Sequence, residues 1–408
     1  MRSIRRVVAT GLVGGMMVLT AACNGDGGGS AAKADLGAGA AGSTASASAA
    51  PTSAAPKVSQ AVVSIEPKTG SVDVAPGALK VGATGGKLTT VKVSDKTGKE
   101  IPGTIAADGS SWTPSTGLSV GTGYQVSAMA ADANGVVAEA DSNFTTLTPE
   151  AQAKAVDNVD NNATYGVGMI VSVEFTKDVK NKDAVAKGVT FETDNGTVVK
   201  GHWFGDRRLD FRPEGYWKPG TKVTVHYRLK SVEIAPGVYG GSDRDEPFTI
   251  GRSQISTVDA AAHKMTVERD GQSSDIDITS GSDDHPTWNG TMVIMSKEGT
   301  VRMQSSTLPG MTGAPYDLQV PHSMRLTTSG TYVHGNWWAK NGVFGGDNVS
   351  HGCVGLKDAE GGGDSTSMGK FYDGSLVGDV VIVKNSIKKE TLEPDNGLSG
   401  WNLAWSAW

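Results

Sequence analysis

Cysteine is scarce in this 408-residue chain, which carries only Cys23 and Cys353. An excess of positive charge is also missing: 37 Lys and Arg stand against 43 Asp and Glu, a formal net charge of −6. A protein that tracks a polyanion needs a basic footprint, so nucleic acid is excluded as the main partner. The apolar run at the front, Val7 to Thr20, is shorter than the ~20 residues a membrane-spanning helix needs. With 38% hydrophobic and 20% charged residues the chain is neither a membrane bundle nor a low-hydropathy disordered polymer, and it has apolar content for several cores. His202, His226, His263, His285 and His322 are scattered without ligand spacing, and no glycine-rich phosphate loop is present. Neither a metal nor a cofactor is therefore expected.

What is present begins with an export pattern. Arg2, Arg5 and Arg6 precede the apolar run, and Ala21-Ala22-Cys23 close it, the charged, apolar and small-residue order of a secretory leader. Leu19-Thr20-Ala21-Ala22-Cys23 resembles a bacterial lipobox, with Thr20 where that pattern more often has Leu. The resemblance implies a signal peptide over 1–23 and a lipid on Cys23. Residues 24–57 are almost entirely Gly, Ala, Ser, Thr and Pro and read as a flexible linker, with an r.m.s. reach of roughly 30 Å. A lipid on Cys23 would hold the folded part at the outer face of the cell membrane, within the cell-wall zone, which makes wall polymer the expected substrate.

From Val58 to Leu147 short alternating runs such as Val62-Val63-Ser64-Ile65 are separated by Gly, Pro and Asp turns, and nothing reads as a long helix. Trp112-Thr113-Pro114, Gly121-Thr122, Tyr124 and Val126 recur at an offset of 99 as Phe211-Arg212-Pro213, Gly220-Thr221, Val223 and Val225. Each copy closes on a Phe-Thr strand, at Phe144 and at Phe248. A repeat of about one hundred residues filled with short strands suits a β-sandwich. The reading is therefore mainly β, with two tandem immunoglobulin-like domains at 58–147 and 148–250, neither stapled by a cysteine pair. His202, Trp203, His226 and Tyr227 are read as half-buried strand residues of the second domain, whose role is spacing.

After Gly251 the pattern stays β-rich, and a third domain is placed at 251–386. Thr291 to Met295 and Thr300 to Met303 read as a hairpin around Lys297-Glu298-Gly299. The strand Gly330 to Val333 runs into His334-Gly335, and after a gap of fourteen residues come Ser350-His351-Gly352-Cys353. A short helix around Asp364 to Tyr372 and a buried strand, Asp379 to Val383, follow. Cys353 would be a free thiol outside the cytoplasm, an oxidation liability unless it is used, which favours a nucleophile. A thiol needs a base, which His334 or His351 could supply; His334, at a strand end, can approach across the sheet and is taken as the base, with His351 in support. Gly352 removes a side chain where backbone N–H groups approach a developing oxyanion. Gly335 offers no side chain to orient His334, so a main-chain carbonyl should do so. Trp401, Trp405 and Trp408 fall at i, i+4 and i+7, one face of a short helix in a Trp-rich extension over 387–408 that packs on the catalytic domain.

His334-Gly335, the gap and Ser350-His351-Gly352-Cys353 resemble the signature of the L,D-transpeptidases, the YkuD-type catalytic domain that cross-links bacterial peptidoglycan; the leader, paired sandwiches and Trp-rich tail are similar to its actinobacterial lipoprotein-like members. The resemblance implies Cys353 as nucleophile and His334 as acid/base, Tyr316 facing substrate, Ser329-Gly330 before the His strand, and Trp338 at the pocket rim. For Tyr316 and Trp338 ordinary packing is the other reading. Gly355 stands where many members have a polar residue, so any side-chain contact to substrate from that position is absent. The implied reaction is acyl transfer: a Cys thioester with release of D-Ala, attacked by the amine of a neighbouring stem peptide to give a 3→3 cross-link, with carbapenem β-lactams as inhibitors. The alternatives are a Cys-dependent hydrolase of stem peptides and a non-catalytic wall-binding lipoprotein. Arg302 and Arg325 are left outside the site.

Overall fold

The computed structural model describes residues 57–307 and 315–408. The leader, Cys23 and the linker up to Pro56 lie outside the described residues. The first sandwich pairs Val62–Glu66, Lys80–Thr84, Ser111–Pro114 and Gly103–Ile105 in one sheet, and Ser71–Val74, Val137–Thr146, Gly123–Ala131 and Lys87–Asp95 in the other. Strict alternation drives this: along Gly123–Ala131 the buried residues are Tyr124, Val126, Ala128 and Ala130, with the intervening ones turned out. They meet Trp112 and Phe144, and the Tyr124 and Phe144 rings lie 5.7 Å apart.

The second sandwich repeats the plan. Ala155–Asp157, Val171–Phe175, Arg208–Pro213 and Val199–Phe204 form one sheet, and Thr164–Tyr165, Asp243–Ile250, Lys222–Arg228 and Val189–Thr193 the other. The positions related by the repeat are buried in both copies: Trp112 with Phe211, Tyr124 with Val223, Val126 with Val225. His226 holds Asp245 at 2.8 Å and Trp203 lies against Phe175, the strand-face roles expected of them.

The third region is a nine-stranded sheet. Its strands, numbered along the chain, are β1 (Gln254–Asp259), β2 (Lys264–Arg269), β3 (Gln272–Thr279), β4 (Gly290–Val293), β5 (Ser296–Gln304), β6 (Asp317–Arg325), β7 (Tyr332–Asn336), β8 (Val354–Lys357) and β9 (Val380–Lys384). They lie in the order β4-β9-β1-β2-β3-β8-β7-β6-β5. The hairpin expected around Lys297-Glu298-Gly299 does not form. β4 pairs with β9 and β5 with β6, at opposite ends of the order, and the three residues belong to β5 itself. Ile294 N–H donates to the Asp379 carbonyl and Met295 N–H to that of Arg325, so the chain changes partner between the two apolar runs instead of turning back. A register irregularity at Lys297–Gly299 absorbs the glycine. The helix Ser367–Gly374 starts at the Thr366 cap, whose hydroxyl accepts from Gly369 N–H, and buries Met368 and Phe371.

The C-terminal tryptophans do not ride on an α-helix. Gly400–Asn402 is a single 3₁₀ turn and the rest is turns, yet the three rings still converge because one cation gathers them. The Arg212 guanidinium lies 4.7 Å from the Trp401 ring centroid, 5.3 Å from Trp405 and 4.4 Å from Trp408. Their partner is the second sandwich, not the catalytic sheet: Trp401 Nε1 donates to the Gly168 carbonyl, Trp408 Nε1 to that of Lys200, and His202 packs on Trp408. Asn402 completes the link, accepting from Thr291 N–H and donating to the Thr291 carbonyl of the catalytic sheet. Gly166 and Gly168 donate to the carbonyls of Val377 and Gly378, an approach close enough that a Cβ on Gly166 would lie 2.3 Å from Asp379 Oδ1. Trp401→Ala, which removes the ring from Arg212 and Tyr216 together with the bond to Gly168, should cost about 3 kcal/mol in urea unfolding; a loss below ~0.5 kcal/mol, the size of an ordinary surface change, would show that the tail carries no stability.

Candidate active site

The site is built on one parallel pairing. β7 and β8 run side by side with Val333 opposite Val354, His334 opposite Gly355 and Gly335 opposite Leu356. Because side chains alternate, Cys353, two residues before Gly355, falls on the same face as His334, with Cα atoms about 8 Å apart by strand spacing and rise. That separation suits an imidazole and a thiol reaching toward each other. Both line a cavity of about 870 Å³.

His334 is 4% exposed. Its Nδ1 lies 3.0 Å from the Gly335 carbonyl, the main-chain orienter that the absence of a side chain at 335 implies. A carbonyl only accepts, so Nδ1 carries the hydrogen and Nε2 is left with its lone pair for the cavity. Burial pushes the imidazole pKa below its usual value, opposed by the Gly335 carbonyl and the negative charge of Asp358. Burial also pushes the Cys353 thiol up to about 11, against the small opposing effect of the Tyr332 main chain. The resting pair is therefore neutral thiol beside neutral imidazole, and the thiolate is made when a proton moves from sulfur to Nε2. Cys353 Sγ also faces the Gly330 carbonyl at 3.7 Å.

The turn before Cys353 is held by residues the sequence does not single out. Asn348 Oδ1 accepts from Ser280 N–H and Oγ and lies 3.1 Å from His263 Nδ1, while its amide donates to the Ala260 carbonyl. Thr279 Oγ1 bonds the Asp347 carbonyl and Val349 N–H. Ser350 Oγ donates to the Cys353 carbonyl at 2.6 Å and accepts from Gly352 N–H at 3.2 Å. The Gly352 N–H thus closes the turn in this state rather than standing open to an oxyanion, and the glycine is required by its φ of +109°.

Tyr316, Ser329, Gly330, Trp338 and His351 all line the cavity. The Tyr316 and His351 rings lie 5.2 Å apart, and those of His351 and His285 4.9 Å apart. Trp338 is 40% exposed and stacks on His334 with centroids 5.8 Å apart. Ser329 is held by Asn396, which accepts from its N–H and donates to its Oγ, a link 67 residues long. Gly355 is different. It lies inside the sheet, where a Cβ would come 2.9 Å from Thr279 Cγ2 and 3.3 Å from Asn336, and it does not line the cavity. Its register opposite His334 turns any side chain there to the cavity face, where it would press on Thr279 and on Asn336 at the cavity wall, so the expectation of a substrate-binding position at 355 is corrected to a packing glycine in the floor of the site. Arg302 and Arg325, left out of the site by the sequence, do line the cavity; their guanidinium groups are paired with Asp317 and Glu298. Among the described residues no group of three His, Cys, Asp or Glu side chains could hold a metal.

A neutral buried thiol reacts with small electrophiles in proportion to its ionised fraction. Iodoacetamide alkylation of Cys353 in the free protein should therefore rise about tenfold per pH unit from pH 7 to 9. A rate already level at pH 7 would mean a preformed thiolate and contradict the neutral pair.

Comparison with known proteins gives the same reading from sequence as a whole. A bacterial Ig domain family matches residues 71–233 and the L,D-transpeptidase catalytic domain family, YkuD, matches residues 253–383. L,D-transpeptidase 2 of Mycobacterium tuberculosis (strain CDC 1551 / Oshkosh) is 28% identical over 333 residues, which cover 81% of this chain and 79% of that protein. L,D-transpeptidase 1 of Mycobacterium tuberculosis (strain ATCC 25618 / H37Rv) is 31% identical over 226 residues, 55% of this chain and 81% of that protein. A solved LD transpeptidase in complex with imipenem is 29% identical with a TM-score of 0.48, covering 58% of this chain and all of that one, 100%. The chain belongs to the L,D-transpeptidases, acyltransferases that act on peptidoglycan, with its YkuD catalytic domain set behind immunoglobulin-like domains.

Proposed function

We propose that Cys353 is the nucleophile and His334 the acid/base of a transpeptidation that forms 3→3 cross-links. The observation that carries this reading is the shared cavity face, with His334 Nδ1 committed to the Gly335 carbonyl so that Nε2 is the free nitrogen beside the thiol. In the first half-reaction the Cys353 proton passes to His334 Nε2. Sulfur then bonds the carbonyl carbon between the third residue of a donor stem and its D-Ala. The C–N bond breaks, and the departing amine takes the proton back from His334. In the second, the side-chain amine of an acceptor stem gives a proton to His334, its nitrogen bonds the acyl carbon, and the C–S bond breaks with the thiol reprotonated. The oxyanion is taken by main-chain N–H groups at the Gly352–Cys353 turn, where Gly352 exchanges its bond to Ser350 Oγ for the substrate. Ser329, Gly330, Tyr316, Trp338 and His351 form the walls against which the stem lies.

The same reading places the enzyme outside the cytoplasm, lipid-anchored to the cell membrane through Cys23 and facing the wall; the support is the leader and lipobox pattern of the sequence. Carbapenem β-lactams should acylate Cys353, visible as one mass adduct that maps to its peptide and is lost in Cys353→Ala. Disaccharide tetrapeptides should then give a dimer with loss of D-Ala in the wild type alone. Tripeptide without dimer would point to a hydrolase, and an adduct or a dimer from Cys353→Ala would remove Cys353 from the mechanism.

A further inference from the structure

The main-chain segment that orients His334 has a carboxylate packed beneath it. A Cβ on Gly335 would lie 2.1 Å from Asp358 Oδ2 and 2.8 Å from its Cγ, so only glycine leaves room for this approach. Asp358 directly follows β8, and its side chain is fully buried at 0% exposure. Oδ1 accepts from Ala359 N–H at 2.8 Å, Gly363 N–H at 3.0 Å and the Thr366 hydroxyl at 2.9 Å. Oδ2 meets His322 Nδ1 at 2.8 Å, and the far side of that ring packs on Tyr372. Three donors on Oδ1 and one ring nitrogen at Oδ2 suit a carboxylate that acts as an acceptor. Among the described residues no Lys or Arg lies in an ion pair with it, and the side chain at Oδ2 is the His322 ring. A buried anion so poorly compensated is costly unless its field is used.

We propose that Asp358 is a positioning residue of the transpeptidase: its carboxylate, packed against Gly335 on the hidden face of the His334 strand, stabilises the imidazolium formed when Cys353 gives up its proton. The inference rests on His334 as the base. On the elements packed around the imidazole the titratable and charged groups are Tyr332 on β7, Cys353 and His351 in the loop, Lys357 at the end of β8, Asp317, His322 and Arg325 on β6, Lys297, Glu298 and Arg302 on β5, and Tyr316 and His285 at the cavity wall. Arg325 and Glu298 are paired with each other. The charge that acts on His334 is that of Asp358, which favours the protonated ring and offsets part of the effect of burial. A cation made and consumed in each half-reaction on a ring that is 4% exposed needs such a fixed counter-charge.

The test is the pH dependence of single-turnover carbapenem acylation at Cys353, followed by intact mass, in wild type, Asp358→Asn and His322→Lys. Asparagine keeps the shape of the carboxylate and removes its charge; lysine at the partly exposed position 322 leaves Asp358 in place and neutralises it, so one of the two should fold. The acylation rate at pH 7 should fall at least tenfold in Asp358→Asn, and the acid limb should move to lower pH by half a unit or more, with His322→Lys moving in the same direction. KM for a donor tetrapeptide should stay within twofold. Folded variants whose acid limb stays at the wild-type pH, whatever their rate, would leave Asp358 a packing group and overturn the inference. Absence of any Cys353 adduct in the wild type would instead remove the reading of the site itself, and this inference with it.

Discussion

The register of β7 against β8 is the constraint on which the chemistry depends. Parallel pairing of His334 with Gly355 places the residue two positions before Gly355 on the same face as the imidazole, two residue-pairs along. A slip of one residue would turn Cys353 to the opposite face. Everything around the pair serves to hold this register and the turn that enters it. Thr279 and Asn348 tie the incoming loop to β3 and its neighbours, and Gly355 leaves room where a Cβ would press on Thr279 and Asn336. Gly335 is thus a packing requirement on the face turned away from the imidazole, and Gly355 one on the face it shares with His334.

The second sandwich also reaches the catalytic region. Arg208 donates to the carbonyls of Asp395 and Gly397, Asn396 between them bonds Thr328 and Ser329, and Gly330 next in line offers its carbonyl to Cys353 Sγ. Arg212 gathers the terminal tryptophans nearby, and Asn402 fastens the same stretch to Thr291. Hydrogen bonds and packed rings therefore run without a break from a strand of the sandwich to the lip of the cavity. The second sandwich is thus linked to the site itself, a role beyond the spacing that the sequence suggests for it.

Much of this was legible in the sequence because it rests on local or periodic signals. The repeat at offset 99 marked equivalent buried strand positions, since a sandwich core needs an inward aromatic or β-branched residue at the same places in each copy. The His-Gly and Ser-His-Gly-Cys pieces marked the pair proposed as nucleophile and base, and a glycine after the histidine already implied the main-chain orienter found at the Gly335 carbonyl. What failed was decided by distant partners. Two apolar runs around Lys297-Glu298-Gly299 look like a hairpin, but the bonds of Ile294 and Met295 go to Asp379 and Arg325, far along the chain. Helical spacing of the tail tryptophans was a coincidence of period; Arg212, about 190 positions earlier, gathers them without a helix. Asp358 carried no signal, being one acidic residue in a glycine-rich loop until the fold puts it under Gly335.

The central claim is that the resting site holds a neutral thiol and a neutral imidazole, and that charge appears only as the acyl carbon is attacked. Ring nitrogen chemical shifts of His334 in the ¹⁵N-labelled free enzyme at pH 7 report this directly. The account predicts one protonated and one bare nitrogen, with the hydrogen on Nδ1. Two protonated nitrogens, the signature of an imidazolium beside a standing thiolate, would contradict it.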